Sequence, residues 1–193
     1  MKKGTIITIA VVAVVAVWCV GAYNGFVKKE ESVKKAWSQV ENQYQRRSDL
    51  IPNLVSTVKG YAAHESATLE SVVAARSAAT AVTVDASNLT PEAIAQYQQA
   101  QGQVGAALGR LIALSESYPD LKANQNFLEL QAQLEGTENR ISVERKRFND
   151  EAQAYNTSLR KFPNNILASV FGFEQKPYFE AVAGSNQAPV VEF

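Results

Sequence analysis

One histidine, one cysteine and no net charge stand in 193 residues, and each scarcity removes a class of function. A lone histidine, His64, cannot build a multi-histidine metal site. A lone cysteine, Cys19, has no partner for an intramolecular disulfide, so cysteine usage does not assign a redox compartment. The 19 acidic residues balance the 19 basic ones, leaving no bulk pull toward nucleic acid or another polyanion. There is no glycine-rich phosphate loop, and no pair of acids has a recognisable catalytic spacing. Strand-like alternation is missing throughout, and 10 glycines and 6 prolines are too few to break the chain often. What remains is an all-α reading, an antiparallel bundle of long helices with 46% hydrophobic residues to fill one core.

Charge is also missing from Gly4 to Val27, whose centre reads Ile-Ile-Thr-Ile-Ala-Val-Val-Ala-Val-Val-Ala-Val. About 20 such residues are what a helix needs to cross a bilayer. Lys2 and Lys3 flank the stretch on one side, Lys28 and Lys29 on the other, and Trp18, Tyr23 and Phe26 gather at its distal end. Aromatic residues there suit a membrane interface. A cleaved signal peptide is the rival reading, since Val20-Gly21-Ala22 would pass as a cut site. The apolar character persists through Phe26 and Val27, which favours a retained transmembrane helix. A lipoprotein site would need a small residue before Cys19, where Trp18 stands. Lysines at both ends leave the orientation nearly balanced, and the short tail carrying Lys2 and Lys3 tips it toward an extracytoplasmic bundle.

The divisions that follow are a short tail and anchor over residues 1–27, a long-helix bundle over 28–173 and a loosely ordered tail over 174–193. Trp37, Val40, Tyr44, Ile51, Leu54 and Val58 mark one face of a first helix that is expected to reach Val82 or Val84. Pro52 should kink it or split it. Thr90-Pro91-Glu92 announces a second helix, with Thr90 as N-cap, that runs to about Ser117. After the joint at Tyr118-Pro119-Asp120, a third helix carries Phe127, Leu134, Ile141, Phe148, Tyr155 and Leu159 until Pro163 stops it. The apolar stretch Ile166–Phe173 reads as a short terminal helix folded onto the end of the bundle.

Polar residues interrupt two of these seams, Arg47 in the first helix and Glu144 in the third. If the gaps meet, Arg47 faces Glu144 in a polar layer that sets the register. Glu41-Asn42 and Glu138-Asn139 could hold a catalytic acid pair only if one cleft brought both together; interhelical pairing beside the seam is the plainer reading. His64-Glu65 lacks the second histidine of a zinc motif. Cys19 is an inert thiol inside the apolar stretch, and Arg46-Arg47 reads as a solvated or salt-bridged face rather than a phosphate site. Asn24, Asn149 and Asn156 each follow an aromatic residue and are read as interhelical hydrogen bonders. No catalytic, cofactor-binding or metal-ligating residue is expected. The competing classes are a structural or interaction protein and an enzyme or small-ligand module whose site is unrecognised.

Specific segments add to this. Ala36-Trp37-Ser38-Gln39-Val40-Glu41-Asn42-Gln43-Tyr44-Gln45-Arg46-Arg47, Asp49-Leu50-Ile51-Pro52-Asn53-Leu54-Val55 and Tyr118-Pro119-Asp120-Leu121-Lys122-Ala123-Asn124 occur in that order. Thr137-Glu138-Asn139-Arg140-Ile141, Phe148-Asn149, Tyr155-Asn156, Phe162-Pro163 and Phe171-Gly172-Phe173 follow. With these, nearly the whole chain resembles the LemA family of bacterial membrane-anchored proteins, with Phe148 where that pattern often has tyrosine. The resemblance implies an N-terminal anchor, a long-helix bundle without established catalysis, and a scaffold or adaptor role in the bacterial cell envelope. Its implied partners are the lipid bilayer, through the N-terminal helix, and other envelope proteins, with no nucleic acid and no cofactor.

Overall fold

The computed structural model describes residues 3–180, and its α-helices are α1 (Lys3–Lys59), α2 (Ser66–Ala81), α3 (Pro91–Leu114), α4 (Pro119–Lys122), α5 (Gln125–Arg160) and α6 (Asn164–Phe171). A 3-10 turn at Ser115–Ser117 joins α3 to α4. No strand occurs among the described residues, so the all-α bundle expected from the sequence is what forms.

The first 20 or so residues of α1 are apolar and stand clear of the bundle: Ile7, Val12 and Val17 are all exposed. The same helix then continues into the bundle without a joint. From Phe26 onward it buries a stripe through Val33, Trp37, Val40 and Tyr44, then Ile51, Leu54 and Val58. α5 lies antiparallel along this stripe. Trp37 packs edge-on against Phe148 with ring centroids 5.7 Å apart, Arg47 meets Glu138, and Asn124 donates to the Tyr61 hydroxyl at 2.8 Å. Each advance along α1 is thus matched by an equal retreat along α5. α2 and α3 pair with each other and close the remaining side.

Pro52 does not split the helix, one of the two outcomes expected of it. α1 passes through it and stops instead at Lys59, with Ser66–Ala81 forming a separate helix. The cause is tertiary. Proline lacks the N–H that would bond the carbonyl one turn earlier, that of Ser48. Arg76 of α2 supplies the missing donor: its Nε reaches the Ser48 carbonyl at 2.9 Å and the Ser48 hydroxyl at 3.1 Å. The orphaned acceptor is satisfied and the helix continues. Arg76→Met should therefore cost about 1–3 kcal/mol, the usual penalty for an unsatisfied half-buried acceptor. In a Pro52→Ala background, urea unfolding should show a smaller loss, because alanine restores the N–H; equal losses in both backgrounds would refute the compensation.

Local signals place the other helix ends. Thr90 caps α3, its hydroxyl accepting from Ala93 N at 3.1 Å, with Pro91 at the first helical position. Asn124 caps α5 through Phe127 N at 3.0 Å. Gly172 closes α6 with φ +71°, a left-handed turn that disfavours any side chain. The interior divides into two clusters. A membrane-proximal one centres on Trp37, Tyr97, Phe148 and Tyr155, and a distal one on Ile51, Leu54, Leu111 and Phe127.

The end of the chain also departs from expectation. Residues 174–180, assigned to a loosely ordered tail, include two buried side chains, Lys176 and Phe179, that belong to the proximal end of the bundle. Packing reaches further along the tail than its polarity implied. The remainder, 181–193, lies outside the described residues.

Candidate functional site

Two constructions draw polar chemistry into this bundle, a layer around Arg47 and a strap laid along α5. Arg47 occupies a core position on α1 and is only 3% exposed. Its Nη1 donates to Glu138 Oε1 at 2.7 Å, and its Nη2 donates to both the backbone oxygen and Oε1 of Gln101 at 2.8 Å. The guanidinium carbon lies 5.0 Å from the centre of the Tyr44 ring. The head group lies beside Gly105, where a Cβ would make only ordinary contact with Nη1 at 3.8 Å. The layer separates the two apolar clusters, as a register device would.

Its membership corrects the sequence expectation. Glu138, not Glu144, faces Arg47. Glu144 lies six residues further along the antiparallel helix, at the height of Glu41, where it comes no closer than 3.9 Å to Arg147 of its own helix. Register is a property of the packed pair and was not legible from either seam alone.

Glu41 and Glu138 do not share a cleft. Glu41 lines an open groove of about 350 Å³ with Tyr44, Tyr97 and Gln101. Glu138 lines another, of about 530 Å³, with Gly105, Gly109 and Leu134. Burial pushes the Glu41 carboxyl above the ordinary carboxylate value. Burial also raises the Tyr97 hydroxyl, reinforced by the negative charge of Glu41. Tyr44 is raised by burial as well, with Arg145 and Arg47 opposing. His64 is exposed in the turn before α2, and no cluster of three or more metal-ligating side chains occurs among the described residues. Nothing in the arrangement of these groups pairs a nucleophile with a base among the described residues.

The strap is the feature that sequence reasoning missed. Asn156 accepts from the Lys176 N–H at 2.8 Å and donates to the Lys176 carbonyl at 2.7 Å. Asn149 does the same for Phe179, at 2.8 and 3.0 Å. The asparagines lie seven residues apart, two helical turns, so both side chains leave α5 on one face. They were read as bonding between helices; instead they hold main chain. Asn24, grouped with them on sequence, makes no side-chain hydrogen bond among the described residues and is exposed.

Side-chain sockets set the strap's register. The Phe179 ring stacks on Trp37 at 5.7 Å, meets Phe148 edge-on at 5.4 Å, and is covered by Arg145 at 4.7 Å. Lys176 pairs with Glu30 at 2.8 Å. Arg145 and Gln98 both donate to the Glu180 carbonyl. The signals available were the Phe148-Asn149 and Tyr155-Asn156 repeat and the aromatic pair Tyr178-Phe179 in an otherwise polar tail. Replacing both Asn149 and Asn156 with alanine should free the strap while the helices stay intact. Chymotrypsin would then cut after Tyr178 or Phe179 at least tenfold faster than in the unsubstituted chain; unchanged cutting would show the clamps are dispensable.

Several known proteins are similar in sequence to this chain. Magnetosome protein MamQ of Magnetospirillum gryphiswaldense is 31% identical over 186 residues, covering 85% of this chain and 67% of its own length. Magnetosome protein MamQ 2 of Paramagnetospirillum magneticum is 30% identical over 179 residues, covering 82% and 64%. Protein LemA of Metamycoplasma hominis is 23% identical over 162 residues, covering 84% and 70%. The chain therefore spans about two thirds of the length of these relatives. The model of the LemA family matches residues 36–193, a range that opens on Ala36-Trp37 and takes in Arg47, Glu138, both asparagine clamps and the strap. On that match and those relatives, the chain belongs to the LemA family.

Proposed function

We propose that this protein is a non-catalytic scaffold or adaptor of the bacterial cell envelope, held in the membrane by a single pass and displaying its bundle on the extracytoplasmic side. The observation that carries this reading is the continuity of α1, one helix from the apolar stretch to the far end of the bundle. From Val27 to Lys59 it extends about 48 Å at 1.5 Å per residue. A surface carried on such a rod stands at a set distance from the bilayer, which suits docking of other envelope proteins. The interior supports the same reading, because core side chains are spent on one another and the grooves that remain are open surface depressions.

Crosslinking in membranes tests it. A flexible Gly-Ser insertion after Lys29 uncouples rod from bundle, and the crosslinked proteins should change in identity or fall in yield. An unchanged set would remove the fixed-distance scaffold. One observation favours a second reading, a small-ligand or catalytic module: the raised carboxyl of Glu41 beside Tyr97 in the 350 Å³ groove. Turnover of ester, phosphate, peptide or glycoside substrates by the purified protein, lost in Glu41→Gln, would install that reading instead.

A further inference from the structure

Among the described residues, Ile166 and Val170 on the outward face of α6 have no packing partner. Ile166 and Val170, four residues apart, lie on one stripe of the helix; Phe171 adjoins them, and Phe162 stands in the turn just before α6. Phe162, Ile166, Val170 and Phe171 are 82%, 55%, 72% and 50% exposed. No residue from Phe162 to Phe173 is charged, while Arg160 and Lys161 stand immediately before and are exposed. A soluble surface seldom leaves so compact a group of large apolar side chains in water.

The position of this face identifies what covers it. The Phe171 ring packs edge-on against Tyr23 at 5.1 Å, and Phe173 packs against Tyr23 at 5.5 Å and Phe26 at 5.2 Å. Tyr23 and Phe26 belong to the end of the uncharged stretch of α1. Gly4 to Val27 spans about 36 Å of helix against a hydrocarbon core of about 30 Å, so its aromatic end lies at the headgroup boundary. α6 is therefore held at the height of that boundary, continuous with the span. Lys28 and Lys29 follow the uncharged stretch on α1, and Arg160 and Lys161 stand at the end of α5 just before α6, as basic residues facing lipid phosphates would.

We propose that α6 and the turn before it form a second membrane contact: the Phe162, Ile166, Val170 and Phe171 side chains enter the boundary between headgroups and acyl chains, beside the α1 span. The proposal rests on α1 crossing the bilayer. An eight-residue helix would not hold its shape alone; the bundle preforms it, through buried Ala168 and half-buried Leu167, and the bilayer takes the face left over. The anchor then has two attachment points, one through the membrane and one on its surface.

Fluorescence quenching in nanodiscs tests it on the full chain. In a Cys19→Ala background, single cysteines replace Val170, Val12 or Val143 in turn and carry an environment-sensitive nitrobenzoxadiazole label. All three positions are exposed, so labelling leaves packing intact. The discs contain phosphatidylcholine and phosphatidylglycerol, with and without a lipid bearing a spin label near the top of its acyl chain. The expected result is at least threefold stronger quenching at Val170 than at Val143, with Val12 also quenched. Quenching at Val12 but only Val143-like behaviour at Val170 would overturn the α6 contact while leaving the span in place. A Val12 label that stays unquenched would overturn the span and this contact together.

Discussion

Replacing Glu138 with leucine should destabilise the bundle by about 2–3 kcal/mol, while replacing Arg47 with methionine should cost far less. The two partners of this ion pair differ in burial. Arg47 is 4% exposed at its side chain and Glu138 is 48% exposed. Without Glu138, the guanidinium stays inside the bundle with only the two Gln101 oxygens to satisfy it, and its Nε already lacks a partner among the described residues. An uncompensated buried charge is expensive. Without Arg47, the Glu138 carboxylate turns to water at little cost, and a methionine fills the guanidinium's place between Tyr44 and Gly105. The double variant should recover most of the loss seen in Glu138→Leu alone. Urea unfolding of the full chain in detergent, followed by circular dichroism, measures all three. Equal costs for the two single variants, or simple addition in the double, would show that the pair does not act as described.

Trp37→Ala is expected to have the larger effect, about 3–5 kcal/mol, as for other buried aromatic truncations. Trp37 is fully buried and joins three elements: it meets Phe148 of α5, Tyr97 of α3 at 5.2 Å, and Phe179 of the strap. Its removal empties the socket under Phe179 as well as the core. The loss should therefore have two readouts, a lower unfolding midpoint and chymotrypsin cleavage at the strap under conditions where the helices persist. Trp37→Phe should recover the first in part. A variant that unfolds early yet keeps its strap protected would separate socket from core and contradict the shared role.

These two sites show where the sequence was readable. A polar residue in the middle of a seam is visible in a single chain, so Arg47 was identifiable as a break in the apolar stripe. Its partner was not, because α1 and α5 meet in a register that the whole interface decides. The same division runs through the fold. Thr90-Pro91 carries its own explanation, local and short-range, and the start of α3 lies where it points. Pro52 carried an equally plain local signal for a kink or a split, yet the helix runs on through it, with Arg76, 24 positions further on, bonding the carbonyl that proline leaves without its donor. The strap was hidden for a related reason. Its hydrogen bonds run from side chains to main chain, and main-chain groups have no sequence signature. What leaves a trace in the sequence is the Phe148-Asn149 and Tyr155-Asn156 repeat and the aromatic pair Tyr178-Phe179.

A rod without a joint also has a lever arm. Membrane helices commonly lean by about 20° from the bilayer normal, and a span longer than the local hydrocarbon thickness leans further. Because α1 enters the bundle unbroken, the bundle must lean with it. Over the roughly 48 Å between Val27 and Lys59, a 20° change sweeps the far end sideways by about 16 Å. With α1 crossing the bilayer as proposed, thinning or thickening the bilayer by a few ångströms would move the distal cluster much further than it moves the span. Membrane thickness becomes a coordinate that this helix magnifies and displays at a distance.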